Sequence, residues 1–163
     1  MIIGIVAVDT ANGIGIDGDL PWPRLKEDMA WFKSQTLNQI VLMGSNTWKS
    51  IGSKPLPNRI NGVVSRRLKP SANYNFFTPE YGVEFFTKIF PNKTLFIIGG
   101  QQIYDSTLHY VDKWFVTHIK ETYTTDKKFN LDYVIKNYPN QQVLNSFEKT
   151  ETTPAYEILE YSR

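Results

Sequence analysis

Cysteine is absent from this 163-residue chain, which excludes a disulfide framework, a thiolate zinc site and a thiol nucleophile while leaving the compartment open. A dominant charge is absent too. Eighteen Lys+Arg stand against sixteen Asp+Glu, a formal net charge of +2, too slight a bias to argue for nucleic acid or an acidic membrane surface. Any basic site therefore has to be local. There is no long apolar run: the opening MIIGIVAV has no basic segment and soon meets Asp9. It reads as a buried first strand rather than a signal peptide or membrane span, and the expectation is a cytoplasmic protein with neither membrane nor nucleic-acid partners. Repeats, low-complexity tracts and long polar linkers are also missing, so residues 1–163 read as a single domain.

What is present is enough apolar material, 41% hydrophobic and 14% aromatic, to fill a sizeable core. Short apolar runs at Ile2 to Val8, Gln39 to Met43, Gly62 to Ser65 and Thr94 to Ile98 read as buried strands separated by helical segments. That alternation favours a mostly parallel, twisted α/β sheet. After residue 112 the pattern changes to KWFVTHIKETY, QQVLNSFEKTE and AYEILEYSR, the last two joined by a Thr-Pro turn. These three read as antiparallel strands completing the sheet's edge.

The stretch VDTANGIGIDGDLPWPRLKEDMAWFK, residues 8–33, joins a turn-rich polar segment to a helical pattern. Counting the helix from Pro23, a favourable first position, puts Leu25, Asp28, Met29 and Phe32 on one face; Lys26, Glu27, Ala30 and Lys33 point largely elsewhere. A carboxylate in an apolar stripe loses hydration, so it must find donors or take up a proton. Two readings of Asp28 stay open on spacing alone. In one it lies wet at the stripe's edge, helped by the nearby helix N-terminus. In the other it is the acceptor at the bottom of an apolar pocket that suits a flat ligand with paired N–H groups.

Two further stretches, VLMGSNTW and FIIGGQQIY, each run from a buried strand through Gly into a helix, which leaves backbone N–H groups free for an anion. Neither is a G-x-G-x-x-G or G-x-x-x-x-G-K-[ST] motif, and each taken singly fits a tight strand-to-helix turn. VVSRRLKP adds a third strand end followed by Arg66 and Arg67. The pair is either solvated surface or part of the ligand edge of an open α/β sheet, where the strands' carboxyl ends lie. Two helix starts plus an arginine pair would suit a dinucleotide with an extra phosphate.

The segments GIGIDGDLPWP, DMAWFK, LMGSNTWKSIG, PLPNR, FIIGGQQIY and WFVTHI occur in this order, and together they resemble dihydrofolate reductase nearly end to end. The resemblance implies a single-domain α/β fold with a central, mostly parallel, eight-stranded twisted sheet flanked by helices. In that fold only the C-terminal strand is antiparallel, whereas the pattern above reverses more of them. It also implies an NADPH-dependent oxidoreductase that converts 7,8-dihydrofolate to 5,6,7,8-tetrahydrofolate. Hydride passes from nicotinamide C4 to pterin C6, and a proton goes to N5. The expected partner is this small-molecule substrate; no metal is implied, and a monomer is expected.

Carried onto matching positions, Asp28 is the implied pocket carboxylate for the pterin 2-amino group and N3, with the Thr117 hydroxyl completing the contact and a water serving N5. Leu20, Trp22 and Tyr104 join Asp28 around the reacting rings, with Tyr104 near the nicotinamide. Ile3, Ile5, Met29, Phe32, Ile51, Leu56 and Ile98 wall the substrate pocket, and Arg59 pairs with the substrate's glutamate carboxylate, although a lone loop Arg is otherwise read as solvated. The cofactor side comprises Ala7, Ile14, Gly44, Ser45, Asn46, Thr47, Ser65, Arg66, Arg67, Ile98, Gly99, Gly100, Gln101, Gln102, Ile103 and Tyr104. A cis peptide is implied between Gly99 and Gly100. Residues 9 to 23 resemble the family's lid, in which Gly and Asp permit movement while Ile14, Ile16, Leu20 and Trp22 cover the rings.

Some positions depart from the bacterial pattern. Arg24 is an extra residue, and Ser45 and Gln102 stand where Arg is frequent beside the cofactor phosphates, leaving Arg66 to compensate. Thr125 stands where Gly is common, while Asp126 retains the acidic residue that pairs with the closed lid. Two other readings share parts of this pattern. A riboflavin-pathway reductase of the same fold should lack the combination of Asp28, Phe32, Arg59 and Thr117. A non-enzymatic folate- or nucleotide-binding structural protein would keep it.

Overall fold

The seven-residue first strand, β1 (Ile2–Val8), has a neighbouring strand on each side, and its near-continuous apolar run is what a strand covered on both faces requires. The computed structural model describes residues 1–67 and 72–163; the end of VVSRRLKP, from Leu68 on, lies outside them. The remaining strands are β2 (Gly13–Gly15), β3 (Ile40–Gly44), β4 (Ile60–Val64), β5 (Tyr74–Phe76), β6 (Leu95–Ile97), β7 (Lys113–Ile119), β8 (Lys127–Lys128), β9 (Asn140–Phe147) and β10 (Tyr156–Ser162). The helices are α1 (Lys26–Thr36), α2 (Ser45–Ser50), α3 (Pro79–Ile89), α4 (Gln101–Thr107) and α5 (Leu131–Asn137). Among the described residues no helix is long and apolar enough to cross a membrane.

The main sheet has eight strands in the order β5-β4-β3-β6-β1-β7-β10-β9, and β2 with β8 forms a separate two-stranded ribbon. Strand β10 is antiparallel to both β7 and β9, whereas β7 lies parallel to β1. Only β10 therefore runs against the other seven, as the family resemblance implies. The pattern-based expectation that all three final strands are reversed is corrected. Residues 113–119 sit beside the central strand and are mostly buried, while β9 is the exposed edge. Hydropathy separates edge from interior but carries no information on strand direction.

Side chains alternate between two cores. Ile3 and Ile5 of β1 join Val41, Met43, Trp48 and Phe96 on the face covered by α1 and α2. Val6 and Val8 join Leu42, Ile97, Phe86, Tyr104 and Trp114 on the face covered by α3, α4 and α5. Gly4 lies directly beside Trp114 in the β1–β7 register, and a Cβ there would fall 2.2–2.6 Å from three indole carbons. Trp114 is fully buried, so it has nowhere to move. Gly4→Ala is expected to destabilise by about 1–3 kcal/mol through overpacking, lowering Tm by roughly 2–12 °C for a chain of this size. An unchanged thermal midpoint would show that the indole has room.

Helix α1 begins at Lys26 rather than at Pro23. Trp22 lies in a bend, and the proline after it disfavours helical geometry at that position. Leu25 is the N-cap with extended geometry, its side chain drawn into a small cluster with Trp22, Ile119 and Tyr156. Asp28 thus stands in the first turn of the helix, the position at which a carboxylate is best placed toward the helix dipole.

Candidate active site

The site is organised by Asp28 on α1 and Thr117 on β7. Thr117 is buried and level with Ala7 on β1, and its hydroxyl donates to Asp28 Oδ1 at 2.6 Å. Burial pushes the Asp28 carboxyl above its ordinary range, and the Thr117 hydrogen bond pulls it part of the way back. This favours the pocket reading of Asp28 over the wet one.

Apolar residues share the sheet face of this pair. Ile3, Ile5 and Phe115 form the floor, against which Trp31, Phe32, Ile51, Leu56 and Ile98 pack half-buried. Trp31, three residues from Asp28, meets Phe115 edge-on at 5.1 Å between ring centroids; its helical spacing could have added it to the candidate face. Met29 stands at the rim, 45% exposed, because it is one residue, about 100° of helix, beyond Asp28.

Arg59 approaches from the loop before β4. Its Nε donates to the Pro57 carbonyl at 2.9 Å and its Nη1 to Thr36 Oγ1 at 3.0 Å, while Thr36 in turn donates to the Phe32 carbonyl. These contacts fasten the guanidinium to the end of α1. Among the described residues it has no carboxylate in ion-pair range; the ion pairs are Lys113–Glu160 and Lys120–Glu157. Partial burial lowers its pKa from the ordinary arginine value. Thr36 escaped the sequence reading because a helix-terminal Thr has no signature for a side chain 23 positions away.

A second group forms where β3 and β6 end. Gly44 N–H donates to the Gly99 carbonyl at 2.8 Å, so the two glycine turns lie side by side. The Gly99–Gly100 peptide is cis, and Gly99 has a φ of +108°. A Cβ on Gly99 would fall 2.9 Å from the Tyr104 ring, and one on Gly44 3.0 Å from Ile103. Tyr104 is buried, donates to the Ile5 carbonyl at 2.7 Å, and burial pushes its phenol far up. Ser45 and Thr47 are half-buried and Asn46 and Gln102 exposed. The Gln101 side chain accepts from Lys128 N–H at 3.0 Å, which ties it to the loop around residues 121–128. Ser65 is half-buried beyond β4, and Arg66 and Arg67 are exposed. The two arginines are therefore on the same edge as the glycine turns, since Val64 is level with Gly44.

Residues 9–23 lie beside these groups. Asp17 and Gly18 both take positive φ, +49° and +79°, at the tip of a tight hairpin closed by Ile16 and Asp19. Asp126 accepts from Asp17 N–H at 3.0 Å and its own N–H donates to the Gly15 carbonyl at 2.8 Å. Ile14 packs on the core and Trp22 is buried. Leu20 is 58% exposed, as it follows the Asp17–Gly18–Asp19 tip of the hairpin.

Asp9, a buried carboxylate, was missed. Its Oδ1 accepts from Ala11 and Gly13 N–H at 2.9 and 2.7 Å, and its Oδ2 from Tyr123 N–H at 2.9 Å. The bond to Ala11 is a local Asx turn that the Asp-Thr-Ala-Asn-Gly sequence permits; the bond to Tyr123 has no local signal.

The family profile for dihydrofolate reductase matches residues 1–163. The dihydrofolate reductase of Buchnera aphidicola is 34% identical over 171 aligned positions, covering 99% of this chain and 96% of that protein. A bifunctional dihydrofolate reductase-thymidylate synthase of Paramecium tetraurelia is 32% identical over 150 positions, covering 91% of this chain but only 30% of that longer protein. In structure, a dihydrofolate reductase from Enterococcus faecalis complexed with NADP(H) and RAB-propyl shares the fold, with a TM-score of 0.85 at 24% identity, covering 100% of this chain and 96% of that one. Profile, relatives and fold agree, and the chain belongs to the dihydrofolate reductase family of oxidoreductases.

Proposed function

We propose that this chain reduces 7,8-dihydrofolate to 5,6,7,8-tetrahydrofolate with NADPH, adding hydride at pterin C6 and a proton at N5. The observation that carries this reading is the Asp28–Thr117 pair, a desolvated carboxylate hydrogen-bonded to a buried hydroxyl on the sheet face that also bears Ile3, Ile5 and Phe115. Such an acceptor matches the 2-amino group and N3 of a pterin, and its negative charge favours the protonated ring. Phe32, Ile51, Leu56 and Ile98 offer apolar cover, and Arg59, held by Thr36, presents its remaining donors to the substrate's glutamate carboxylate.

The residues present fit a dinucleotide. At Gly99 a Cβ would fall 2.9 Å from the Tyr104 ring and at Gly44 3.0 Å from Ile103, so packing favours glycine at both and neither position presents a side chain at the strand ends. Gly44 to Thr47 and Gly100 to Ile103 would hold its pyrophosphate and nicotinamide side, with Ser65, Arg66 and Arg67 at the adenosine end. When bound, the reduced nicotinamide supplies the hydride. The protein orients the two rings, excludes water through residues 9–23, and holds charge where the proton is needed.

Purified protein mixed with NADPH and dihydrofolate should consume the reduced-nicotinamide absorbance and release tetrahydrofolate. Binding of both ligands without turnover would favour a structural folate-binding role, and turnover of a ribosylaminopyrimidine in place of dihydrofolate would favour the riboflavin-type reductase.

A further inference from the structure

Resting on that reading of residues 9–23 as a lid, we infer that Tyr123 is a positioning residue that fastens both roots of the lid to one point. The lid's first root is Asp9, and Asp9 Oδ2 accepts the Tyr123 backbone N–H at 2.9 Å. Its second root is Trp22, whose ring meets the Tyr123 ring edge-on at 6.1 Å between centroids. A single residue thus touches the two ends of a segment 13 positions apart, through its backbone on one side and its side chain on the other. Tyr123 also packs on the cluster that holds Trp22, and its hydroxyl donates to Glu121 at 3.1 Å on an exposed surface.

The consequence follows from what each root bears. Asp9 also organises the Ala11 and Gly13 amides, from which the ribbon with Lys127 and Lys128 begins. Trp22 packs on Leu25, the cap of the helix that carries Asp28. Displacing Tyr123 therefore moves the lid's start relative to its end without touching the pocket carboxylate or Thr117. A lid with one loose root closes less often over correctly placed rings, so the hydride step slows while substrate binding in the Asp28 pocket is retained. Coupling of this kind typically amounts to about a 3- to 30-fold effect.

Two variants separate the contacts. Tyr123→Ala removes the ring and keeps the backbone N–H. Asp9→Asn keeps one acceptor oxygen for the Ala11 and Gly13 amides but places an amide N–H opposite that of Tyr123. Each is expected to lower single-turnover hydride transfer by about 3- to 30-fold, with KM for dihydrofolate little changed. The deuterium isotope effect on kcat, measured with NADPH deuterated at the transferred position, should rise in both. Tyr123→Phe should restore the rate, because it returns the ring without the hydroxyl.

A thermal melt of each variant checks that the fold is intact, and wild-type turnover run alongside tests the lid's enzyme independently of Tyr123. Unchanged hydride transfer in Tyr123→Ala overturns the inference. So does equal loss in Tyr123→Phe, which would assign the effect to the Glu121 contact. If Tyr123→Ala fails to fold, Asp9→Asn decides: an unchanged hydride step there overturns the inference, and a slowed one supports it. Absence of turnover in the wild type would instead sink the reductase reading on which the inference rests.

Discussion

Asp28→Asn is expected to slow hydride transfer to dihydrofolate by about 100-fold or more at neutral pH, the scale of loss for a positioned acid-base group, while NADPH affinity barely moves. The asparagine can still accept the Thr117 hydroxyl, which donates to Oδ1 at 2.6 Å in the wild type, so packing is kept and only the charge is lost. Without that charge the pterin must be protonated by solvent, and the rate should recover in part as pH falls.

Stability should move the other way. Burial raises the Asp28 pKa in the folded protein, so between the unfolded and the folded value the native state binds more protons than the unfolded one. Stability therefore falls as pH rises through that window and stays lower above it. Asn removes this penalty, so Asp28→Asn should melt no lower than wild type at neutral pH and lose that advantage below the unfolded carboxyl range. Near-normal turnover at neutral pH would remove Asp28 from the reaction.

The contrast between Asp28 and Asp9 shows what a sequence can disclose. Asp28 is visible because it interrupts a helical apolar spacing, and the interruption itself asks for a partner. Its partner Thr117 is 89 positions away and becomes visible only through the family motif VTHI. Asp9 ends an apolar strand at the place where any polar residue would serve, so its bond to Tyr123, 114 positions on, leaves no local trace. The same division holds for the sheet. Apolar runs located β1, β3, β4 and β6 to within two residues, because burial dictates composition. The direction of β7 and β9 depends on how the chain returns to the sheet, and the start of α1 depends on where Leu25 finds its packing partners. Both are decided by tertiary contacts.

Arg66→Ala is expected to weaken NADPH binding by about 10- to 100-fold, the equivalent of losing one charge-assisted hydrogen bond of roughly 1.5–3 kcal/mol, while leaving NADH nearly unchanged. The motive is that Ser45 and Gln102 bring no charge to the rim formed by the two glycine turns, so a dianionic 2′-phosphate must be balanced from elsewhere. Arg66 leaves the sheet two residues past Val64, which is level with Gly44 at the start of α2, and Ser65 is still held in line by its N–H bond to the Phe76 carbonyl at 2.9 Å. The alternation expected of an extended chain, which would send Arg67 to the opposite face, does not extend this far. The backbone bends at Arg66 and Arg67, and the Arg67 N–H turns back to Ser65 Oγ at 3.4 Å. What distinguishes the two arginines is therefore proximity to Ser65 and Gly44 rather than face, and Arg67→Ala belongs in the same titration as the control. Both arginines are exposed, so salt should blunt the NADPH preference of the wild type more than that of Arg66→Ala. If Arg67→Ala carries the selective loss, the reader of the phosphate is one residue further on; if Arg66→Ala weakens NADPH and NADH alike, or neither, Arg66 is a solvated surface residue.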